Sequence, residues 1–308
     1  MLRSSSVCPL MRKLRRSERS TSPTQFNSPR AAPSWSRTEP QRLIRGFVRA
    51  CHFPPTVAVT SVVVGYGWSL GWRATPLLGV AIAVFLSQLS VGWSNDAFDA
   101  EVDAMVGRTE KPTVAGEVSV RGLWVGAVIA LIGALGLGFS VAGGVGGSFL
   151  TLAILAAWLY NVALSRTLWS WLPYAIAFGA IPPFLTYGLD GRAPAPWAVA
   201  VFTLIGVSAH LANGLPDLES DQSVGLGGAV VRLGTLRATV LSWLLLAIGS
   251  ALLILEAART SLALAGAVVL GYLLAVGFAT IARGRQAMFQ AILLAVGVDA
   301  AAVALLSH

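Results

Sequence analysis

The chain has 308 residues, of which 55% are hydrophobic and only 12% charged, with a mean hydropathy of +0.71. An ordinary soluble domain carries about 25% charged residues, so these values exclude a soluble fold and imply a membrane-embedded one. The formal charge of +8 invites a nucleic-acid partner, but residues 1–50 hold 11 Lys/Arg against 2 Asp/Glu and the remainder nets −1; the basicity belongs to one tail, which serves membrane orientation and contact with anionic lipid head groups rather than nucleic acid.

Residues 1–41 are rich in Ser, Arg and Pro, lack helical apolar periodicity and read as a disordered basic N-terminal tail. A transit peptide or an over-extended start has the same composition. Cys8 and Cys51, in or beside the tail, suggest no disulfide framework. Residues 42–308 read as one membrane domain. At about 20 residues per crossing, apolar segments fall near 51–70, 75–96, 120–141, 147–164, 169–189, 195–214, 236–256, 260–282 and 286–306. They predict an all-α integral membrane protein, a bundle of about nine transmembrane helices around a central cavity. Pro182-Pro183 should kink the fifth span and turn its backbone toward a cavity or neighbouring helices. With the N-terminus cytoplasmic, 19 of the 22 Lys/Arg fall on that side, leaving Arg73, Arg192 and Arg259 on the other. The positive-inside rule then makes the protein multi-pass, with the active-site opening cytoplasmic and the C-terminus on the opposite side.

The second span ends in Asn95-Asp96-Ala97-Phe98-Asp99-Ala100-Glu101-Val102-Asp103. On a helix Asp96, Asp99 and Asp103 are i, i+3 and i+7 and share a face with Asn95 at its edge, while Glu101 points elsewhere. After the sixth span Asp217 and Asp221 repeat the pattern at i and i+4. An acid at the centre of a membrane helix costs roughly 2.5 to 3.5 kcal/mol, so positive charge must offset these rows. Hard oxygen donors without a matching His or Cys set suit Mg²⁺, which takes one or two carboxylates plus substrate phosphates. The spacing also suggests a partial internal repeat, with the two rows facing across the cavity.

Asn95-Asp96-x-x-Asp99-x-x-x-Asp103, then Gly107-Arg108-Thr109-Glu110-Lys111-Pro112, then Asp217-x-x-x-Asp221, resembles the UbiA family of membrane prenyltransferases over nearly the whole chain from about Arg42. The resemblance implies a nine-helix bundle in which both motifs hold Mg²⁺ on the diphosphate of a polyprenyl donor. Asn95, Asp96, Asp99 and Asp103 would hold one ion, and Asp217 and Asp221 the other; Asp96, Asp99, Asp217 and Asp221 would carry the catalysis. Arg108 and Lys111 are implied as diphosphate partners. Tyr160-Asn161-Val162-Ala163-Leu164-Ser165-Arg166 is similar to the family's Tyr-containing motif, with Ser165 where a lysine is often found and Arg166 as the nearest cation. Tyr160 and Arg166 therefore join the substrate-binding candidates.

His210, Asn213 and Asp217 are i, i+3 and i+7, which places His210 and Asn213 above the second row, where His210 would orient an acceptor hydroxyl or act as a base. The loop after Asp221 has no base before Arg232, and its glycines would supply N–H donors instead. Asp299 lies far from this end by helical rise and has no assigned role. The expected activity is Mg²⁺-dependent transfer of a polyprenyl group from its diphosphate to a hydrophobic acceptor, an aromatic or quinone precursor, within the lipid bilayer. Two alternatives stay open: a membrane terpene cyclase using the same ionisation, and a cation-coupled transporter.

Overall fold

The computed structural model describes residues 39–216, 218–223, 227–281 and 285–306; nearly all of the basic tail, Asp217, residues 224–226 and Arg283 lie outside the described residues. Every described element is helical. In chain order they are α1 Glu39–Ala50, α2 Phe53–Ser69, α3 Ala74–Met105, α4 Val120–Leu159 continued by a π-helical turn Tyr160–Leu164, α5 Leu172–Gly179, α6 Ile181–Asp190, α7 Pro196–Asn213, α8 Leu218–Ser223, α9 Ala229–Thr260, α10 Leu262–Ile281 and α11 Arg285–Leu306. Six helical stretches among the described residues are long and apolar enough to cross a membrane, or seven if the bent pair α1–α2 is one broken span. By length and composition the count stops short of the nine expected.

The packing is that of a protein dissolved in lipid. Ile281 is 82% exposed and Leu236 76%, and similar side chains line the outer faces of α3, α4, α9 and α10. A soluble monomer does not leave so much contiguous apolar surface uncovered. Inward, Val80, Leu123, Leu185, Phe202, Ile205, Leu246 and Ile292 are fully buried. The helices close a circuit: α2 packs on α3, α3 on α4, α4 on α5 and α6, these on α7, α7 on α9 and α11, and α11 back on α2.

Three breaks shape the circuit, each with a local cause. Gly143 interrupts α4 at φ 65° and ψ −169°, a region essentially confined to glycine. A Cβ on Gly138 would overlap the Leu150 side chain, and one on Gly147 would lie 2.5 Å from the Phe139 ring. Residues twelve apart in a straight helix are separated by about 18 Å, so the two arms fold back on one another, matching the expected segments 120–141 and 147–164. Gly234 breaks α9 in the same way, at φ 74° and ψ 169°. The fifth span does break ahead of the proline pair, at Ala180, because Pro182 and Pro183 have no N–H for the carbonyls of Phe178 and Gly179. Pro182 and Pro183 occupy the first turn of α6, where the missing N–H costs no helical hydrogen bond and the fixed φ suits the helix. They are buried against neighbouring helices, and the adjacent Leu185 carbonyl accepts from Trp72 Nε1 at 3.1 Å.

The second span also runs on past its expected end at 96 to Met105, so the acidic row lies on the helix itself. At Gly143 no atom stands within 4 Å of where a Cβ would be, so Gly143→Ala tests backbone strain alone. It should destabilise the protein by about 1–3 kcal/mol, read as a lower unfolding temperature in detergent, whereas Gly136→Ala, equally open but without positive φ, should leave that temperature unchanged or raise it.

Candidate active site

The acidic end of α3 is built by helix periodicity and closed by its own C-cap. Val106 N–H bonds to Val102 O (3.0 Å), Gly107 N–H to Ala104 O (3.3 Å) and Arg108 N–H to Asp103 O (2.9 Å). With Gly107 at φ 72°, this is a Schellman turn, which normally brings the second residue past the cap against the third residue from the helix end through an apolar contact. Here those positions are Arg108 and Asp103, and the contact is ionic: Arg108 Nη1 donates to Asp103 Oδ1 at 3.2 Å.

The other arm of the same guanidinium, Nη2, donates to Asp221 Oδ1 at 3.0 Å. One cation therefore brings the first acidic motif and the second to the same place. Burial works against the charge on Arg108, but the hydrogen bond to Asp221 and the charges of Asp103 and Asp221 outweigh it and raise its pKa above the ordinary arginine value. Asp103 is 1% exposed, and its Oδ2 has no hydrogen-bond partner.

Each remaining acid of the row has its own cation. Asp96, also 1% exposed, accepts from Lys111 Nζ at 2.7 Å on the oxygen that lies 3.0 Å from His52 Nε2. Asp99 accepts from Arg166 Nη2 at 2.7 Å. Asn95 Nδ2 contacts Asp99 Oδ2 (3.5 Å) and Asn161 Oδ1 (3.3 Å), and Asn161 in turn donates to Val91 O and Ser94 Oγ, both at 3.0 Å. Asn161 reaches inward because the helix widens into a π turn at Tyr160–Leu164, a deformation frequent at functional sites.

Lys111 is held over Asp96 by a loop that α1 braces. Arg49 donates to Glu117 Oε1 (2.8 Å) and to the Glu110 carbonyl, and Arg45 lies 3.7 Å from Glu117. His52 joins α1 to α2 at φ 50°, the one positive φ outside glycine among the described residues. Next to it a cleft of about 490 Å³ is lined by Arg49, His52, Phe53, Asp96, Lys111 and Pro112, among others.

Beyond the acids lies an aromatic group. The Tyr174 ring is 4.8 Å from that of His210, and Tyr160 packs edge-on at 5.3 Å from Tyr174 and 5.8 Å from His210. His210 is buried with Nε2 3.0 Å from Ser170 Oγ, so its imidazole is satisfied by packing and that contact. Asn213 is exposed at the end of α7. Asp217 lies outside the described residues. Asp299 accepts from Ser250 Oγ at 2.7 Å and belongs to a separate contact between α9 and α11.

The structure thus gathers Asn95, Asp96, Asp99, Asp103, Arg108, Lys111, Arg166 and Asp221, with Tyr160 and His210 behind them. Sequence reading assigns no role to Arg49, His52, Asn161 or Ser170. The one signal it offered was His52, one of three histidines, standing directly before Phe53-Pro54-Pro55. Among the described residues no three Asp, Glu, His or Cys side chains converge on a single point suited to a metal ion.

No curated protein matches the chain. Its fold is similar to that of a UbiA homologue from Archaeoglobus fulgidus bound to GPP and Mg²⁺, with a TM-score of 0.63, 17% identity, and coverage of 88% of this chain and 100% of that one. It is also similar to the apo UbiA homologue from Aeropyrum pernix K1, with a TM-score of 0.61, 19% identity and coverage of 85% and 97%. A digeranylgeranylglyceryl phosphate synthase aligns with a TM-score of 0.59, 14% identity and coverage of 86% and 98%. At these identities the likeness carries the fold. The family itself is matched by the sequence, over residues 53–306: the chain belongs to the UbiA prenyltransferase family.

Proposed function

We propose that the protein transfers a polyprenyl group from its diphosphate to an aromatic or quinone-precursor acceptor inside the membrane, in a Mg²⁺-dependent reaction. The observation that carries this reading is the Arg108 guanidinium shared by Asp103 and Asp221, which brings together two acidic motifs remote in sequence, Arg108 and Asp221 being 113 positions apart, in a member of a prenyltransferase family. The relatives solved with GPP and Mg²⁺ or with DMAPP and Mg²⁺ support the same donor class.

The residues present fit a magnesium–diphosphate pair. Their donors are hard oxygens, and Asp103 Oδ2 is a buried acceptor without a partner. Mg²⁺ needs only one or two carboxylates when waters and phosphate complete its shell, so a convergence of three is not required. Asn95, Asp96, Asp99 and Asp103 on one side and Asp217 and Asp221 on the other would hold the ions. When bound, they screen the charge that develops on the departing diphosphate.

The chain's own residues do the rest. Arg108 and Arg166 offer forked donors and Lys111 a compact charge to the diphosphate oxygens. Tyr160 would offer its ring to the positive charge that grows on the allylic carbon, and Asn213 remains a donor-binding candidate at the rim. His210, held with its Nε2 3.0 Å from Ser170 Oγ, would orient the acceptor. The apolar bundle excludes water, which would otherwise capture the allylic cation.

Nine crossings are consistent with the helices: the bent pair α1–α2, α3, the two arms of α4, α5 with α6, α7, α9, α10 and α11. The basic loops that flank the acids would then lie at the cytoplasmic face, together with the N-terminus, and the C-terminus would lie opposite.

Purified protein incubated with Mg²⁺, a panel of prenyl diphosphates and phenolic acceptors should yield a prenylated acceptor and free diphosphate. No diphosphate release from any donor would refute the reading, and cyclic hydrocarbon formed from donor alone would replace it with a cyclase. Asp99 is part-exposed, so Asp99→Asn should fold and lose about 100-fold or more in turnover. Chelation by EDTA should abolish activity and Mg²⁺ restore it. Arg108→Glu should raise the KM for the donor by about tenfold or more, since it reverses a charge-assisted contact; full turnover at unchanged KM in a folded variant would remove Arg108 from the site.

A further inference from the structure

Ser170 lies four residues beyond Arg166 and is 0% exposed. Its Oγ accepts from the backbone N–H of Ala229, the first residue of α9, at 3.0 Å, and lies 3.0 Å from His210 Nε2 near the end of α7. A hydroxyl has one proton and two lone pairs, so it can accept from Ala229 and still offer its proton to a bare Nε2. One side chain thus binds both the helix that leads into the second acidic motif and the helix that follows it.

Steric contacts close the same neck. A Cβ on Gly214 would come within 2.8 Å of Val230 Cγ2, and one on Gly228 would lie 2.7 Å from the Ser165 carbonyl. The two ends of the stretch that carries Asp221, at Gly214 and at Gly228–Val230, are therefore held together at one point. That point rests on Ser165–Ser170, the turn whose Arg166 grips Asp99.

We propose that Ser170 is a positioning residue: it fixes the neck between α7 and α9 from which the Asp221 segment springs, and through it sets Asp221 against the first acidic motif for the magnesium–diphosphate donor. The inference rests on the prenyl-transfer reading above. Ser170 touches no substrate in this role; it acts through the backbone of Ala229 and through His210. A serine that merely fills space would affect stability and leave donor and metal dependence alone.

The test compares wild type, Ser170→Ala, Ser170→Thr and Gly228→Ala in detergent. Steady-state kinetics in donor and in Mg²⁺ are combined with hydrogen–deuterium exchange of the peptide spanning 214–230 and with unfolding temperature. Loss of one buried hydrogen bond should raise the donor KM and the half-saturating Mg²⁺ concentration by about tenfold, with kcat changed much less. Exchange should quicken across 214–230 and stay unchanged elsewhere, and Ser170→Thr, which keeps the hydroxyl, should restore most of the loss. Gly228→Ala should mimic Ser170→Ala, because it wedges the neck from the Ser165 side with Ser170 intact. Unchanged donor and Mg²⁺ dependence in Ser170→Ala, or exchange that quickens uniformly with a lowered unfolding temperature, overturns the proposal. If wild type itself releases no diphosphate, the prenyl-transfer reading fails instead, and the exchange measurement still decides whether Ser170 holds the neck.

Discussion

Two carboxylates almost wholly withdrawn from solvent, Asp96 and Asp103, stand at the end of a membrane helix, and each is tolerated because a cation is delivered to it by the turn that follows. For Asp103 the delivery is local. Gly107 reverses the chain in a left-handed conformation and the Schellman turn returns Arg108 onto the last turn of α3. Stripping such a cation from a buried acid costs about 3–5 kcal/mol, because the charge left behind has no counterpart. Since the same guanidinium also holds Asp221, the C-cap of one helix fixes the register of two motifs remote in sequence. The site's architecture follows from a glycine, an arginine and the period of an α-helix.

The charges nearly cancel before any substrate arrives. Among the described residues Asp96, Asp99, Asp103 and Asp221 meet Lys111, Arg108 and Arg166, four acids against three bases. A diphosphate entering such a cluster adds several negative charges in a region bounded by apolar helices, where Coulomb repulsion is weakly screened. It therefore requires its own divalent counter-ions, and the fixed cations alone cannot serve. Under the proposed reading, that is why rows of aspartate stand beside the basic residues.

What could be read from sequence divides along the range of the interactions. The common face of Asp96, Asp99 and Asp103, and the placing of Arg108 and Lys111 close behind them, follow from helix period and chain proximity. The two arms of α4 were legible as separate apolar segments because Gly143-Gly144 interrupts them. The break ahead of Pro182-Pro183 was legible because proline cannot donate to the preceding turn, whereas the prolines' place in the first turn of a new helix depends on packing. His52 against Asp96 and Ser170 against Ala229 join residues 44 and 59 positions apart. Both depend on how the circuit closes, and nothing in local composition announces them. His210 illustrates the same limit: its spacing from Asp217 placed it on the wall above the second motif, while its contacts with Ser170, Tyr160 and Tyr174 come from tertiary packing.

The two segments that flank the site are mounted by different physics. The loop carrying Lys111 is braced from outside by Arg45 and Arg49 on Glu117, with Arg45 72% exposed. The exposed Arg45 adds about 1 kcal/mol or less and its pairing weakens with salt, whereas Arg49 and Glu117 are largely covered. The excursion carrying Asp221 is held at its neck by a buried hydroxyl, a backbone N–H and close packing of glycine on valine, all neutral and indifferent to ionic strength. The two mountings therefore differ in their response to salt: the Lys111 loop is held in part by charge, and the neck of the Asp221 segment is not.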